Sequence, residues 1–287
     1  MPIYAPTLPP RPALEDGPHP IATIMRFDLK RVLRAKLGRF FGFIFVFILI
    51  IRIAVLYVNH LLETKKQLAA MRDFAKDILS QGAAFQADCL PPWLLTILWF
   101  QVAIVGAGLV SRDTLYRIRP LIYAHPVRPL DYLAAKGLFA TALPFAIQLP
   151  FVLIPWVLSL LIAGMNGPIW PTAPLHLLPA ALVISLLMGA VTLGASAMAS
   201  TPRMGFGWVL GIVLGSTAIG GLVAGLTRSV AWLACSPGAL VAAWPELLCG
   251  VAEPKLGWVP AILGTVAHVS LWLWIAARRT RPDEAVM

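Results

Sequence analysis

The chain has 287 residues, of which 59% are hydrophobic and 13% charged, and its mean hydropathy is +0.80. A soluble domain carries about 25% charged residues, and 23 basic plus 13 acidic side chains are too few to clothe a water-facing surface of this size. Composition therefore argues for an integral membrane protein and against a soluble globule, a disordered chain, collagen or a coiled coil. The formal net charge of +10 has to be read first as a topology signal and only then as a sign of nucleic acid.

Residues 1–20 are Pro-rich, carry Glu15 and Asp16, and lack the basic start and apolar run of a secretory signal. They are expected to form a disordered cytoplasmic tail. Residues 21–37 place Ile21, Met25, Leu29 and Val32 on one helical face and Arg26, Lys30 and Arg34 on the other. This predicts an interfacial helix lying along the inner leaflet, with Asp28 and Lys36 spoiling its apolar face.

Six apolar runs follow, each near the 20 or so residues that a helix needs to cross a bilayer. They are 40–59, 93–111, 138–164, 177–199, 206–226 and 257–277. The third contains Pro144, Pro150 and Pro155 and is expected to kink. Residues 60–82 between the first two runs predict an outer helix that covers the bundle. Residues 229–251 are apolar too, but Pro237, Gly238, Pro245 and Glu246 break them into two short pieces. Such pieces suit a re-entrant or interfacial element better than a seventh crossing.

Charge supports six. With six crossings, one side holds 16 of the 23 Lys and Arg residues, in the N-terminal segment, the 112–137 loop, the 200–205 loop and the C-terminal tail. The other side holds six, and Arg52 lies inside the first span. Cytoplasmic loops are the basic ones, so both termini are expected in the cytoplasm. The net charge then needs no nucleic-acid partner.

The chemistry-bearing motifs are few. There is no GxxxxGK[ST] loop, HExxH, GxSxG or paired-carboxylate constellation, and the five histidines are scattered. No metal site and no enzymatic activity are expected of this chain. No Asp or Glu lies within the six runs. Arg52 either snorkels outward or lines a transport path; Gln148 is a second polar group for such a path or an interhelical hydrogen-bond partner. Gly207, Gly211 and Gly215 recur every four residues and serve either packing within one bundle or a seam with a second copy. Cys235 and Cys249 flank the broken element and either bridge it or stay unpaired.

The 112–137 loop is longer than a hairpin requires, and it mixes apolar and basic residues. Leu121, Ile122 and Tyr123, flanked by Arg117 and Arg119, either form a docking surface for a cytoplasmic partner or belong to a solvated loop that only supplies positive charge. The stretch resembles the segment between the second and third spans of ABC-2 type permeases. That family has an acidic residue after the second span, a short coupling helix, a P-V-x-R step and a Lys entering the third span. Here these are Asp113, Leu121–Ala124, Pro126-Val127-Arg128 and Lys136, while Tyr116–Pro120 replaces the family's Gly-Thr. A basic helix before the first span, six spans with both ends inside and a broken element before the last extend the likeness over about 21–280.

The resemblance implies an all-α transmembrane domain over 21–280 with cytoplasmic tails at 1–20 and 281–287, in a bacterial inner membrane. It implies an exporter-type permease subunit that pairs with a second permease copy or paralogue. A separate ABC ATPase subunit would bind the ATP and Mg and drive it through Asp113, Arg117, Arg119, Leu121, Ile122, Tyr123, Pro126 and Arg128. The alternative is a scaffold or assembly factor that binds a cytoplasmic partner and transports nothing.

Overall fold

A computed structural model describes residues 20–64, 82–118, 122, 128–164 and 168–280. It is all-helical, with no strand among the described residues. The helices are α1 (Pro20–Arg34), α2 (Lys36–Thr64), α3 (Gly82–Ala87), α4 (Pro92–Gly106), α5 (Ser111–Leu115), α6 (Pro129–Ala163), α7 (Ala173–Met198), α8 (Pro202–Thr227), α9 (Pro237–Leu248) and α10 (Trp258–Arg279). A 3-10 turn, Val230–Cys235, precedes α9.

Six of these segments are long and apolar enough to cross a membrane, and they coincide with the six runs read from sequence. The protein is a polytopic integral membrane protein. The tempting stretch at 229–251 is indeed two short helices, neither long enough to span. Residues 65–81 of the expected outer helix lie outside the described residues, as do both tails; α2 itself runs on to Thr64.

Local chemistry sets the boundaries. Pro occupies the first turn of α4, α6, α7, α8 and α9, where its missing N–H costs nothing. Thr201 Oγ1 caps α8 by accepting from the Met204 N–H at 3.3 Å, and Ser236 Oγ caps α9 through the Ala239 N–H at 3.2 Å. Asp131 accepts the Arg128 N–H at 3.3 Å across the first turn of α6. That bond marks the start of α6 at Pro129, nine residues before the apolar run. Hydropathy marks where lipid begins, whereas capping marks where the helix begins. At the α1–α2 corner, a Cβ on Gly38 would sit 2.5 Å from the Val32 carbonyl oxygen, so only glycine fits.

α7 is the central helix and packs against α4, α6, α8, α9 and α10. Its spanning window is 72% buried, against 17% for α2 and α8 on the rim. Small residues make the crossings close: a Cβ on Gly189 would lie 2.9 Å from the Thr141 nitrogen of α6, and one on Gly194 2.9 Å from the Trp272 carbonyl oxygen of α10. The rim helices turn large apolar groups outward, including Phe43, Phe47 and Ile50 of α2. An uncovered belt of that kind suits lipid.

One end of the bundle gathers α1, α5, the start of α6 and the ends of α7 and α10; it is called the basic end below. The opposite end is closed by α3, the 3-10 turn and α9. There the buried Gln86 donates to the Pro168 carbonyl at 2.8 Å and accepts from the Trp170 N–H at 3.0 Å, tying α3 to the turn before α7.

Of the two outcomes open for Cys235 and Cys249, the geometry leaves the unpaired one. The two residues stand at opposite ends of α9, whose 12 residues rise about 18 Å, whereas a disulfide needs Cα atoms within about 7 Å. Cys235 is exposed, Cys249 is buried, and all three cysteines are free thiols.

Candidate functional site

The polar centre of the molecule lies at the basic end. Tyr132 and Lys136 are one helical turn apart on α6 and so share a face. Asp28 comes from α1, and Asp113 from α5 directly after the second span. Lys136 Nζ lies 2.9 Å from Asp28 Oδ2 and 3.1 Å from Asp113 Oδ2. The Tyr132 hydroxyl donates to the same Asp113 oxygen at 2.7 Å. Asp28 is 1% exposed, Lys136 3%, Asp113 6% and Tyr132 0%.

Asp113 owes its place to a break in the second span. After α4 the chain turns over 107–110 and resumes as α5. Ser196 of α7 sutures that break: its Oγ accepts from the Val110 N–H at 2.9 Å and the Ser111 N–H at 3.2 Å, and donates to the Ala107 carbonyl at 2.9 Å. One buried hydroxyl thus satisfies backbone groups that a broken helix leaves open. Arg31 of α1 reaches the same turn, donating to the Gly108 carbonyl at 3.2 Å and lying 3.8 Å from Asp28. A Cβ on Gly108 would come within 2.8 Å of Arg31 and 2.7 Å of Arg112, so a larger residue there would push these two flexible side chains aside.

Burial drives the electrostatics. It pushes the Asp28 carboxyl above its ordinary value, against the pull of Lys136 and Arg31. Burial, and then neighbouring Arg112, draw the Arg31 guanidinium below its ordinary value. Two carboxylates sharing one ammonium, with an arginine at the edge, form a charge-balanced network. It binds α1, the α4–α5 break and α6 into one body.

This arrangement corrects the reading of α1. Asp28 does not spoil a lipid-facing surface; it is the buried anchor of the helix on α6. Asp113, predicted from sequence, is in the network, while Asp28, Arg31, Tyr132 and Ser196 were missed. The i, i+4 spacing of Tyr132 and Lys136 and the single acid in a basic helix were the available signals. Arg117 and Arg128 are exposed, Arg117 with a left-handed φ of 52°, and Ile122 is half-buried. Arg119, Leu121, Tyr123 and Pro126 lie outside the described residues. Beside the network, Leu115, Tyr116 and Ile118 are exposed apolar side chains around Arg117.

The other sequence candidates fall elsewhere. Arg52 donates to the Phe85 carbonyl at 3.0 Å and to Cys89 Sγ at 3.5 Å, and stacks 4.6 Å over the Phe85 ring. It also lines a groove of about 230 Å³ with Asp88 and Trp93. Gln148 is buried and donates to Ser185 of α7 at 2.9 Å, an interhelical bond. Gly207, Gly211 and Gly215 face open space, since a Cβ on any of them would meet nothing within 4 Å. Packing inside the bundle uses Gly205, Val209, Val213 and Gly220 of α8 instead.

No family model, curated protein or solved structure matches the chain. What the fold and the site define is the class alone: an α-helical polytopic membrane protein with a buried ionic joint at its basic end.

Proposed function

We propose that the chain is the membrane-spanning subunit of an ABC-2 type exporter, driven from the basic end by a separate ATPase. The observation that carries this reading is the Asp28–Lys136–Asp113–Tyr132 joint beneath an exposed apolar and basic surface. A partner that pushes on Leu115–Ile118 and the loop after it moves α5, and the joint passes that displacement to α1 and α6 together. In this reading the basic end is cytoplasmic, α1 lies along the inner leaflet of a bacterial inner membrane, and the 3-10 turn with α9 forms a re-entrant outer element. The open glycine face of α8 receives a second permease copy. ATP and Mg belong to the partner.

The test is affinity purification of the tagged chain from native membranes, with mass spectrometry and ATP turnover. A co-purifying P-loop ATPase whose association is lost on Leu115→Asp or Ile122→Asp supports the reading. Recovery of a cytoplasmic partner without a nucleotide-binding fold supports the scaffold alternative and sinks the exporter.

A further inference from the structure

A groove of about 230 Å³ lies toward the basic end between α4 and the first turns of α8, lined by Ile104, Pro202, Arg203 and Phe206. Three of these side chains are apolar, and the exposed Arg203 stands beside them. One turn further along α8, Gly207 begins the open face that continues through Gly211 and Gly215. The opposite side of the helix, with Gly205, Val209 and Val213, is buried in the bundle. By helical phase, Arg203 and Phe206 stand on one flank of the open face and Trp208 on the other. Trp208 is 43% exposed, so a large ring projects from that second flank.

A second copy inserted with the same topology is related to the first by a two-fold axis along the membrane normal, and its α8 runs parallel. In such a contact residue i of one copy meets residue j of the other, and the reverse holds as well. Facing helices bring opposite flanks together, so the Trp208 side of one α8 meets the Arg203 side of the other. Depth agrees too. Helical side chains lean toward the N-terminus, which carries the Trp208 ring to the level of Met204 and Gly205, beside the groove. A guanidinium over an indole is a favourable pair, and an indole in an apolar slot is a common anchor of protein interfaces.

We propose that Trp208 of each copy seats in the Ile104–Pro202–Phe206 groove of a second, identical copy of this chain, with Arg203 of that copy over its ring. The contact rests on the reading that a second copy covers the open face of α8. It makes that copy identical and names its anchor, and it needs no ATPase.

The experiment co-expresses two differently tagged copies, one with the photoreactive p-benzoylphenylalanine in place of Trp208, and irradiates native membranes. A product carrying both tags is expected, with the cross-link mapped by peptide mass spectrometry to a segment containing Ile104 or Phe206 of the other copy. In detergent, native mass spectrometry over a dilution series should show Trp208→Ala dimers weakened by about tenfold and Arg203→Gln dimers by about threefold. Trp208→Phe should keep most of the affinity. Gly211→Cys cross-linking reports the open face separately. If Gly211→Cys links two copies while the photoreactive residue at 208 labels lipid alone and Trp208→Ala dimerises like the wild type, the groove contact is overturned and the second copy stays. If Gly211→Cys also fails to link, the shared reading falls with it.

Discussion

Lys136 is the residue on which the basic end turns. Removing one member of a buried ion pair costs about 3–5 kcal/mol, because its partner's charge is left without compensation. Lys136→Met strands two carboxylates and is expected to destabilise the detergent-solubilised protein by about that amount, read as a lowered unfolding midpoint. Adding Asp28→Leu and Asp113→Asn removes the stranded charges and should recover most of the loss. A triple variant no more stable than Lys136→Met would mean that the joint is not electrostatic. The thiols give an independent check on burial. Cys235 is exposed, whereas burial and nearby Cys89 push the Cys249 thiol up to about 12. At pH 8, alkylation of Cys249 should run on the order of a thousandfold more slowly than that of a free thiol. Peptide mapping of a timed reaction should show Cys235 labelled first, with Cys249 and Cys89 reacting only after denaturation. At this scale the sequence was only partly legible. Asp113 stood out by position after an apolar run, but the value of Asp28 depends on a contact 108 residues away in the chain, and no periodicity encodes such a contact.

Helices were far more legible than the contacts between them. Spans declare themselves because a crossing needs some 20 predominantly apolar residues in a row, whereas a cap or a corner rests on one or two atoms. The start of α6 shows the difference: hydropathy begins at Leu138, yet Pro129 and Asp131 have already begun the helix. The glycines of α8 show another. Gly205 and Gly207 read alike in sequence, but a Cβ on Gly205 would lie 2.7 Å from the Ala107 carbonyl oxygen while Gly207 faces open space. If the open face meets a second copy, Gly211→Cys should form a disulfide-linked dimer in oxidised membranes, seen as a doubled mass on non-reducing gels. Gly205→Cys, buried against α4, should stay monomeric. Cross-linking of neither variant would leave that face to lipid.

For the whole molecule, six crossings would put the two termini on one side of the bilayer. Tags at the two ends should be digested together in vesicles of one orientation and protected together in the other. Opposite responses would remove one crossing from the fold. The asymmetry of the bundle has its own consequence for tolerance to change. α7 sits at the centre of the bundle with helices all round it, so a bulky substitution such as Gly194→Val disturbs the core. Outward substitutions on α2 exchange one lipid contact for another.

The length of α6 has mechanical meaning. Its 35 residues measure about 52 Å, well over the roughly 30 Å of hydrocarbon, so the stretch bearing Tyr132 and Lys136 stands clear of the oily layer as a stalk. Pro155 lies about 39 Å along the axis from Pro129, and each internal proline is a place where the backbone ladder is already open. A 10° change of bend at Pro155 would swing the Pro129 tip through about 7 Å, so a small flexure deep in the bilayer becomes a large sweep at the surface.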